Sequence, residues 1–290
     1  MAVHKYSLSD DAIISIDFSN DGLDRSFDIE LYRKAIDGKV KIEDANCISA
    51  EVTLHGIKTY FYVICEGKVN KTFLWDDYRE LKKCSMEKSD TLLRWGGAFK
   101  VSGDCQIKLA VSHKSISEAK RHAESAAEFS ITKQRAQRIW EEYLGKIEID
   151  ADEYKNQLFY SSLYHSIIKP SKFEDGEYTD FSTLWDMYKT QLPLVYTLFA
   201  KESRGIAKTL LNASKKYGKI PSALTMTDDI HRFDGQARML SIYTLADEYY
   251  RGFVTADDLF KVANRELGED IEEINLLVKE ERYTKIIDIA

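Results

Sequence analysis

The feature that most constrains this chain is a change of texture near residue 113. Ahead of it, short apolar stretches alternate with turn residues. Ala12-Ile13-Ile14-Ser15-Ile16-Asp17-Phe18 runs into Ser19-Asn20-Asp21-Gly22. Thr59 to Cys65 runs into Glu66-Gly67, and Gln106 to Val111 follows Ser102-Gly103-Asp104. Runs rich in β-branched and aromatic residues, with period-two character and turn formers at their ends, predict strands. Many such strands in series predict a β-sandwich.

Behind residue 113 the spacing becomes helical. Ser115-Ile116-Ser117-Glu118 predicts a capping box, in which the Ser115 hydroxyl caps the first turn and Glu118 reaches back. Ala119, Ala123, Ala126 and Ala127 follow at helical spacing. A second helix is expected from about Ile131 to Leu144, with Ile131, Ile139, Trp140 and Tyr143 as its apolar face and Gly145 as its stop. From Asp150 onward helix follows helix. Asp150 is expected to cap the first, which Pro170 ends. Pro193 fits a first helical turn but no helix interior. The next helix carries Ile206, Leu210, Leu211 and Tyr217 and stops at Gly218. Another runs roughly from Gly235 to Tyr250, and Thr255-Ala256-Asp257-Asp258 caps a last one. All three prolines lie in this half.

Composition narrows the function classes. A formal charge of −7 and a pI near 5.5 argue against a general nucleic-acid binder, which needs surplus Lys and Arg to displace phosphate counterions. Mean hydropathy is −0.39 and no run of ~18 apolar residues occurs, so no membrane span is expected. The start of the chain carries no apolar signal-peptide core, so a cytoplasmic location is expected of the chain as written. The four cysteines, Cys47, Cys65, Cys84 and Cys105, have neither disulfide-framework density nor zinc spacing, and are expected as buried or half-buried free thiols.

Four groups of residues have chemical potential. Phe181 to Lys189 contains Trp185, Asp186 and Lys189, with Trp185 and Lys189 at i and i+4. An indole stacks on a pyranose C–H face and an adjacent carboxylate accepts from vicinal hydroxyls. The same residue types also suit a core Trp185 and an exposed first-turn Asp186 favoured by the helix dipole. Met226 to Gly235 is a loop dense in acceptors, including Asp228, Asp229 and Asp234, suited to sugar hydroxyls, to a cation, or to capping. Tyr160-Ser161-Ser162-Leu163-Tyr164-His165 offers small serines for close helix packing and a histidine, but no nucleophile elbow. The acidic pairs Asp10-Asp11, Asp76-Asp77, Asp257-Asp258 and Glu280-Glu281 read as solvated or capping groups. No glycine-rich phosphate loop and no metal-ligand histidine spacing occurs.

The stretch from about Ile107 to Gly252 resembles glycoside hydrolase family 92, the calcium-dependent exo-acting α-mannosidases. The matching elements come in the family's order: Val111 to Ala119, Ile139 to Ile147 with Trp140, Phe159 to Ser166 followed by Pro170, Phe181 to Tyr188 with Trp185-Asp186, Gly218-Lys219-Ile220-Pro221, and Asp247 to Gly252. The resemblance implies a multidomain β + α fold: a partial β-sandwich over 1–113, a helical connector over 114–149, and the first helices of an (α/α)6 toroid over 150–290. It implies inverting hydrolysis of terminal α-linked mannose on N-glycans or mannan, with a Glu as acid and an Asp as base ~6.5–9.5 Å apart. Trp185 and Asp186 are the implied substrate-binding pair, with Lys189 and Asp229 as weaker members.

Departures from the family pattern shape the expectation further. Met1 falls inside the sandwich and Ala290 comes before the toroid closes, so the chain is expected to represent the middle of a longer family sequence. The elements that carry the family's acid, base and calcium ligands belong to later sequence and are not found, so this chain alone is expected to be inactive. Lys189 stands where the family has Arg, exchanging a planar fork for a point charge. Asp229 stands where the family tends to have Glu. The alternative reading is a non-catalytic glycan-binding remnant; another (α/α)6 carbohydrate enzyme, such as a glycoside phosphorylase, ranks behind both. The expected partner is a mannose-containing glycan.

Overall fold

The computed structural model describes residues 1–19, 36–54, 57–91, 93–172, 176, 178–179, 184–218, 220 and 240–268. The chain divides into two compact units, Met1–Glu142 and Tyr143–Ala290.

The first unit is an antiparallel sheet. Its strands are β1 (Ala2–Tyr6), β2 (Ala12–Asp17), β3 (Ile36–Asp44), β4 (Cys47–Leu54), β5 (Ile57–Asp76), β6 (Arg79–Leu81), β7 (Ser85–Thr91) and β8 (Trp95–Ser112). They are ordered β1-β8-β5-β4-β3-β7, with β2 also on β8 and β6 also on β5. The two long strands, β5 and β8, differ from the short runs expected at Glu66-Gly67 and Ser102-Gly103-Asp104. Both strands continue through these sites. The register steps from Gly67↔Cys105 to Lys68↔Ser102, so Gly103 and Asp104 bulge out of β8 opposite Gly67. Gly67 sits at φ +138, a conformation L side chains rarely adopt. A bulge of this kind bends the strand that carries it and increases the local twist.

The bend lets one continuous sheet supply two facing layers. The half of β5 before Gly67 pairs with β4, and the half after it pairs with β6 and with the start of β8. Val40, Ile48 and Val63 from one side share a core with Leu74, Trp95 and Phe99 from the other. The approach is close: a Cβ on Gly38 would stand 2.5 Å from Trp95 Cη2 and 2.9 Å from the Glu51 carbonyl oxygen.

Helix α1 (Ile116–Glu124) buries Ala119 and Ala123 against Tyr62 and Ala110. Ser115 Oγ accepts from the Glu118 N–H at 3.1 Å, as expected. Glu118 turns to Arg121 instead of reaching back. Helix α2 (Phe129–Leu144) follows, with no buried residue of its own. Ile131 and Ile139, expected on its apolar face, are exposed.

The second unit is helical. It holds α3 (Glu153–Ile167), a short hairpin of β9 (Ser171–Lys172) and β10 (Tyr178–Thr179), α4 (Leu184–Met187), α5 (Gln191–Leu198), α6 (Ala200–Tyr217), α7 (Leu240–Tyr250) and α8 (Ala256–Leu267). Asp152, not Asp150, caps α3, accepting from the Lys155 N–H at 2.9 Å. Pro193 lies in the first turn of α5, where its missing N–H is no loss. Helix α6 turns Ser203, Ile206, Ala207, Leu210, Ala213 and Ser214 inward at 3.6-residue spacing, then ends at Gly218 with φ +78. Thr255 and Asp258 form a reciprocal capping box on α8. Leu192, Ile206, Leu210, Leu245 and Val262 form the centre of the core. No helix among the described residues is long and apolar enough to cross a membrane.

Candidate functional site

Helix α4 is a single turn. Leu184 and Met187, three apart, point into the core and are buried. That leaves Trp185 half-buried and Asp186 exposed. The Tyr188 N–H closes the turn on the Leu184 carbonyl at 2.9 Å. Trp185 and Asp186 both engage neighbouring groups.

Lys189 follows the end of α4 in the turn before α5, so the helical i,i+4 relation expected with Trp185 does not hold. Its Nζ lies 5.9 Å from the Tyr188 ring centroid instead. Asp229, with the whole of 226–235, and residues 181–183 lie outside the described residues. Trp185 and Asp186 are thus consecutive residues of one turn, the first half-buried and the second exposed, with Lys189 three residues beyond Asp186.

The helical unit also contains a cavity of about 450 Å³ that no local sequence motif marks. It lies among the end of α3, the β9–β10 hairpin and the start of α6, and contains neither Trp185, Asp186 nor Lys189. Its walls include Tyr143, Pro170, Tyr178, Phe199 and Glu202, with Lys169, Lys172 and Lys201 at the edge. The Tyr143 ring stacks on Phe199 with centroids 5.0 Å apart, and its hydroxyl donates to Glu202 Oε1 at 2.8 Å. Burial, and then the nearby Glu202 charge, push the Tyr178 phenol upward. These residues form no local motif; the fold alone assembles them.

A buried acid was missed as well. Glu248 on α7 is fully buried, and burial raises its carboxyl to about 8. The Tyr196 hydroxyl on α5 faces it and pulls the other way, and the Asp247 charge pushes it further up. Neither Glu248 oxygen closes a well-formed hydrogen bond. Asp247 itself takes Arg251 Nε at 2.8 Å. A signal existed in the sequence, because Ser241, Thr244, Leu245 and Glu248 share the buried face of α7 at helical spacing.

The remaining candidates behave as structural groups. Ser161, Ser162 and His165 on α3 are exposed, so the close packing expected of the serines is not seen; Ser162 Oγ bonds the Leu158 carbonyl within its own helix. Asp11 takes Ser102, and Asp76 pairs with Lys88. Glu280-Glu281 lie outside the described residues. All four cysteines are free thiols; Cys65 and Cys105 are buried and Cys47 partly so, but Cys84 is exposed.

Residues 117–284 match the glycosyl hydrolase family 92 catalytic domain. The chain belongs to that family. Its fold is similar to that of the family GH92 inverting mannosidase BT2199 from Bacteroides thetaiotaomicron, at a TM-score of 0.66 and 17% identity, over 78% of this chain and 35% of that one. The family GH92 α-mannosidase BT3965 from the same organism matches at 0.67 and 18%, over 92% and 39%. The family glycosyl hydrolase ccman5 matches at 0.60 and 15%, over 92% and 39%. The likeness shows a shared order of antiparallel sheet followed by helices, and the chain spans well under half the length of these structures. No curated protein matches the chain.

Proposed function

We propose that the chain is part of an inverting exo-α-mannosidase and contributes its substrate-binding turn. The observation that carries this reading is the match of residues 117–284 to the family 92 catalytic domain. Two further facts support it. The similar structures include an inverting mannosidase, and one α-mannosidase whose structure contains mannoimidazole. Helices α3 to α8 would then be the first helices of an (α/α)6 toroid, and the folded-over sheet a part of the family's sandwich.

In this reading Trp185 offers its half-exposed indole to the C–H face of a terminal mannose, and Asp186 accepts hydrogen bonds from its hydroxyls. The cation of Lys189, and Asp229 in the segment after α6, complete the polar rim. The substrate is α-linked mannose on N-glycans or mannan.

Calcium is the metal the family resemblance implies. Among the described residues no group of three His, Cys, Asp or Glu side chains is placed to hold a metal ion. Calcium is therefore placed on none of the described residues, and no step of the reaction is routed through the metal. The acid and base of the reaction are likewise assigned to no residue of this chain. The task of these residues is to bind and orient.

Titration calorimetry with α-1,2-linked mannobiose tests the reading. Saturable binding is expected, weakened at least about tenfold by Asp186→Asn, since a hydrogen bond to a charged group is lost. Equal affinity of the two proteins would remove Asp186 from the site. An assay for released mannose on the same samples separates turnover from binding alone.

A further inference from the structure

We propose that the turn joining β5 to β6 is a second saccharide-contact point, built around Tyr78. This two-residue hairpin loop holds Asp77 at φ +46 and Tyr78 at φ +63. Positive φ at both central positions defines a type I′ turn, whose second position strongly prefers glycine. A tyrosine there is strained, because its Cβ crowds the backbone in the left-handed region.

The strain fixes a flat aromatic surface. The Tyr78 ring lies nearly parallel to Trp75, with centroids 5.8 Å apart and planes 11° apart. Trp75 is 7% exposed while Tyr78 is 77% exposed, so one face of Tyr78 is backed and much of the ring is open. Trp75 is anchored by its indole N–H to the Gly97 carbonyl at 3.3 Å. The turn is tied down by the Asp77 N–H to the Arg94 carbonyl at 2.8 Å, and Arg94 pairs with Asp17 at 3.0 Å. The Asp76–Lys88 ion pair braces its base. A platform held this way loses little freedom when a ligand stacks on it.

The surroundings select the ligand class. Asp77, Arg79 and Glu80 beside the ring are all exposed. Among the described residues of the turn, the ring is a single aromatic surface bordered by hydrogen-bonding groups. It suits a pyranose ring, which presents C–H groups on one face and hydroxyls around its edge. That the glycan is mannose-based rests on the mannosidase reading above.

Affinity electrophoresis of the chain through gels containing yeast mannan tests the proposal. The unaltered chain is expected to be retarded. Tyr78→Gly removes the ring while giving the turn its preferred residue, so it should raise the apparent dissociation constant roughly three- to tenfold without lowering Tm. Tyr78→Trp should retain binding, and Tyr78→Asn, also tolerant of a left-handed turn, should repeat the loss. Retardation of Tyr78→Gly and Tyr78→Asn equal to that of the unaltered chain would overturn the proposal. If Asp186→Asn alone reduces retardation, the mannosidase reading stands and the second contact falls. If the Tyr78 variants alone reduce it, the second contact stands and the role of Asp186 falls. No retardation of the unaltered chain would overturn both.

Discussion

Tyr143 and Glu202 are joined by a 2.8 Å hydrogen bond from hydroxyl to carboxylate. Within the helical unit the bond joins Tyr143 to the first turn of α6, and Tyr143 also stacks on Phe199, which immediately precedes α6. A hydroxyl-to-carboxylate bond at a partly buried site contributes about 1–2 kcal/mol. Tyr143→Phe keeps the stacking and should destabilise the helical unit by about that amount, read from its urea midpoint. An unchanged midpoint would show that the bond contributes nothing.

Glu248 makes the helical unit sensitive to alkali. Its folded-state pKa of about 8 lies above the value of an ordinary glutamate, so the folded form binds this proton more tightly than the unfolded form. The stability it contributes is fully present below the unfolded pKa and is lost as pH rises through about 8. Tyr196 and Asp247 face it, and Arg251 pairs with Asp247. Glu248→Gln should flatten this slope and raise Tm relative to the unaltered chain at pH 8–9. A parallel pH profile for the two proteins would contradict the burial argument.

Gly38 on β3 lies close against the Trp95 ring of β8. A methyl group there meets the Trp95 ring and the Glu51 backbone, and neither yields without moving the strand that carries it. Gly38→Ala should therefore cost about 1–3 kcal/mol, and Trp95→Ala about 3–5 kcal/mol through the cavity it leaves. Chemical denaturation of the two variants checks both, and a neutral Gly38→Ala would mean that the layers slide freely.

The capping box on α8 is a local test of the same kind. Thr255 Oγ1 accepts from the Asp258 N–H at 3.1 Å, and Asp258 returns a bond to the Thr255 N–H at 3.3 Å. Thr255→Ala should lower stability by about 1 kcal/mol, measured as a fall in Tm that Thr255→Ser largely restores.

Features decided by a few adjacent residues were legible in the sequence. The stop of α6 at Gly218 and the cap of α8 depend on residue types within one turn. Where the outcome depends on a partner strand or a covering surface, the residues mislead. Gly67 and Gly103 have the chemistry of turns, yet both strands run on: Gly67 stays paired with Cys105 while Gly103 and Asp104 bulge from β8 opposite it. The spacing of Ile131 and Ile139 says that they share a face, but not that anything covers it. Asp150 and Asp152 are equally competent caps two residues apart, and only the observed start of α3 chooses between them. Glu248 lay hidden because its residue type speaks for the surface while its spacing speaks for the core. The Trp185-Asp186 pair was visible as a pair of residue types. Its relation to Lys189 was not, because that hinged on α4 ending after one turn. Tyr78 gave no signal either, since an Asp-Tyr dipeptide does not announce a type I′ turn.

Tryptophan fluorescence of the chain during titration with α-1,2-linked mannobiose, compared with Trp185→Phe, tests directly whether this turn binds mannose. The unaltered chain should show a saturable change that is largely lost in Trp185→Phe, because the indole that meets the sugar is the one removed. An unchanged signal, or an equal response from both proteins, would contradict the placement of a mannose-binding site on this turn.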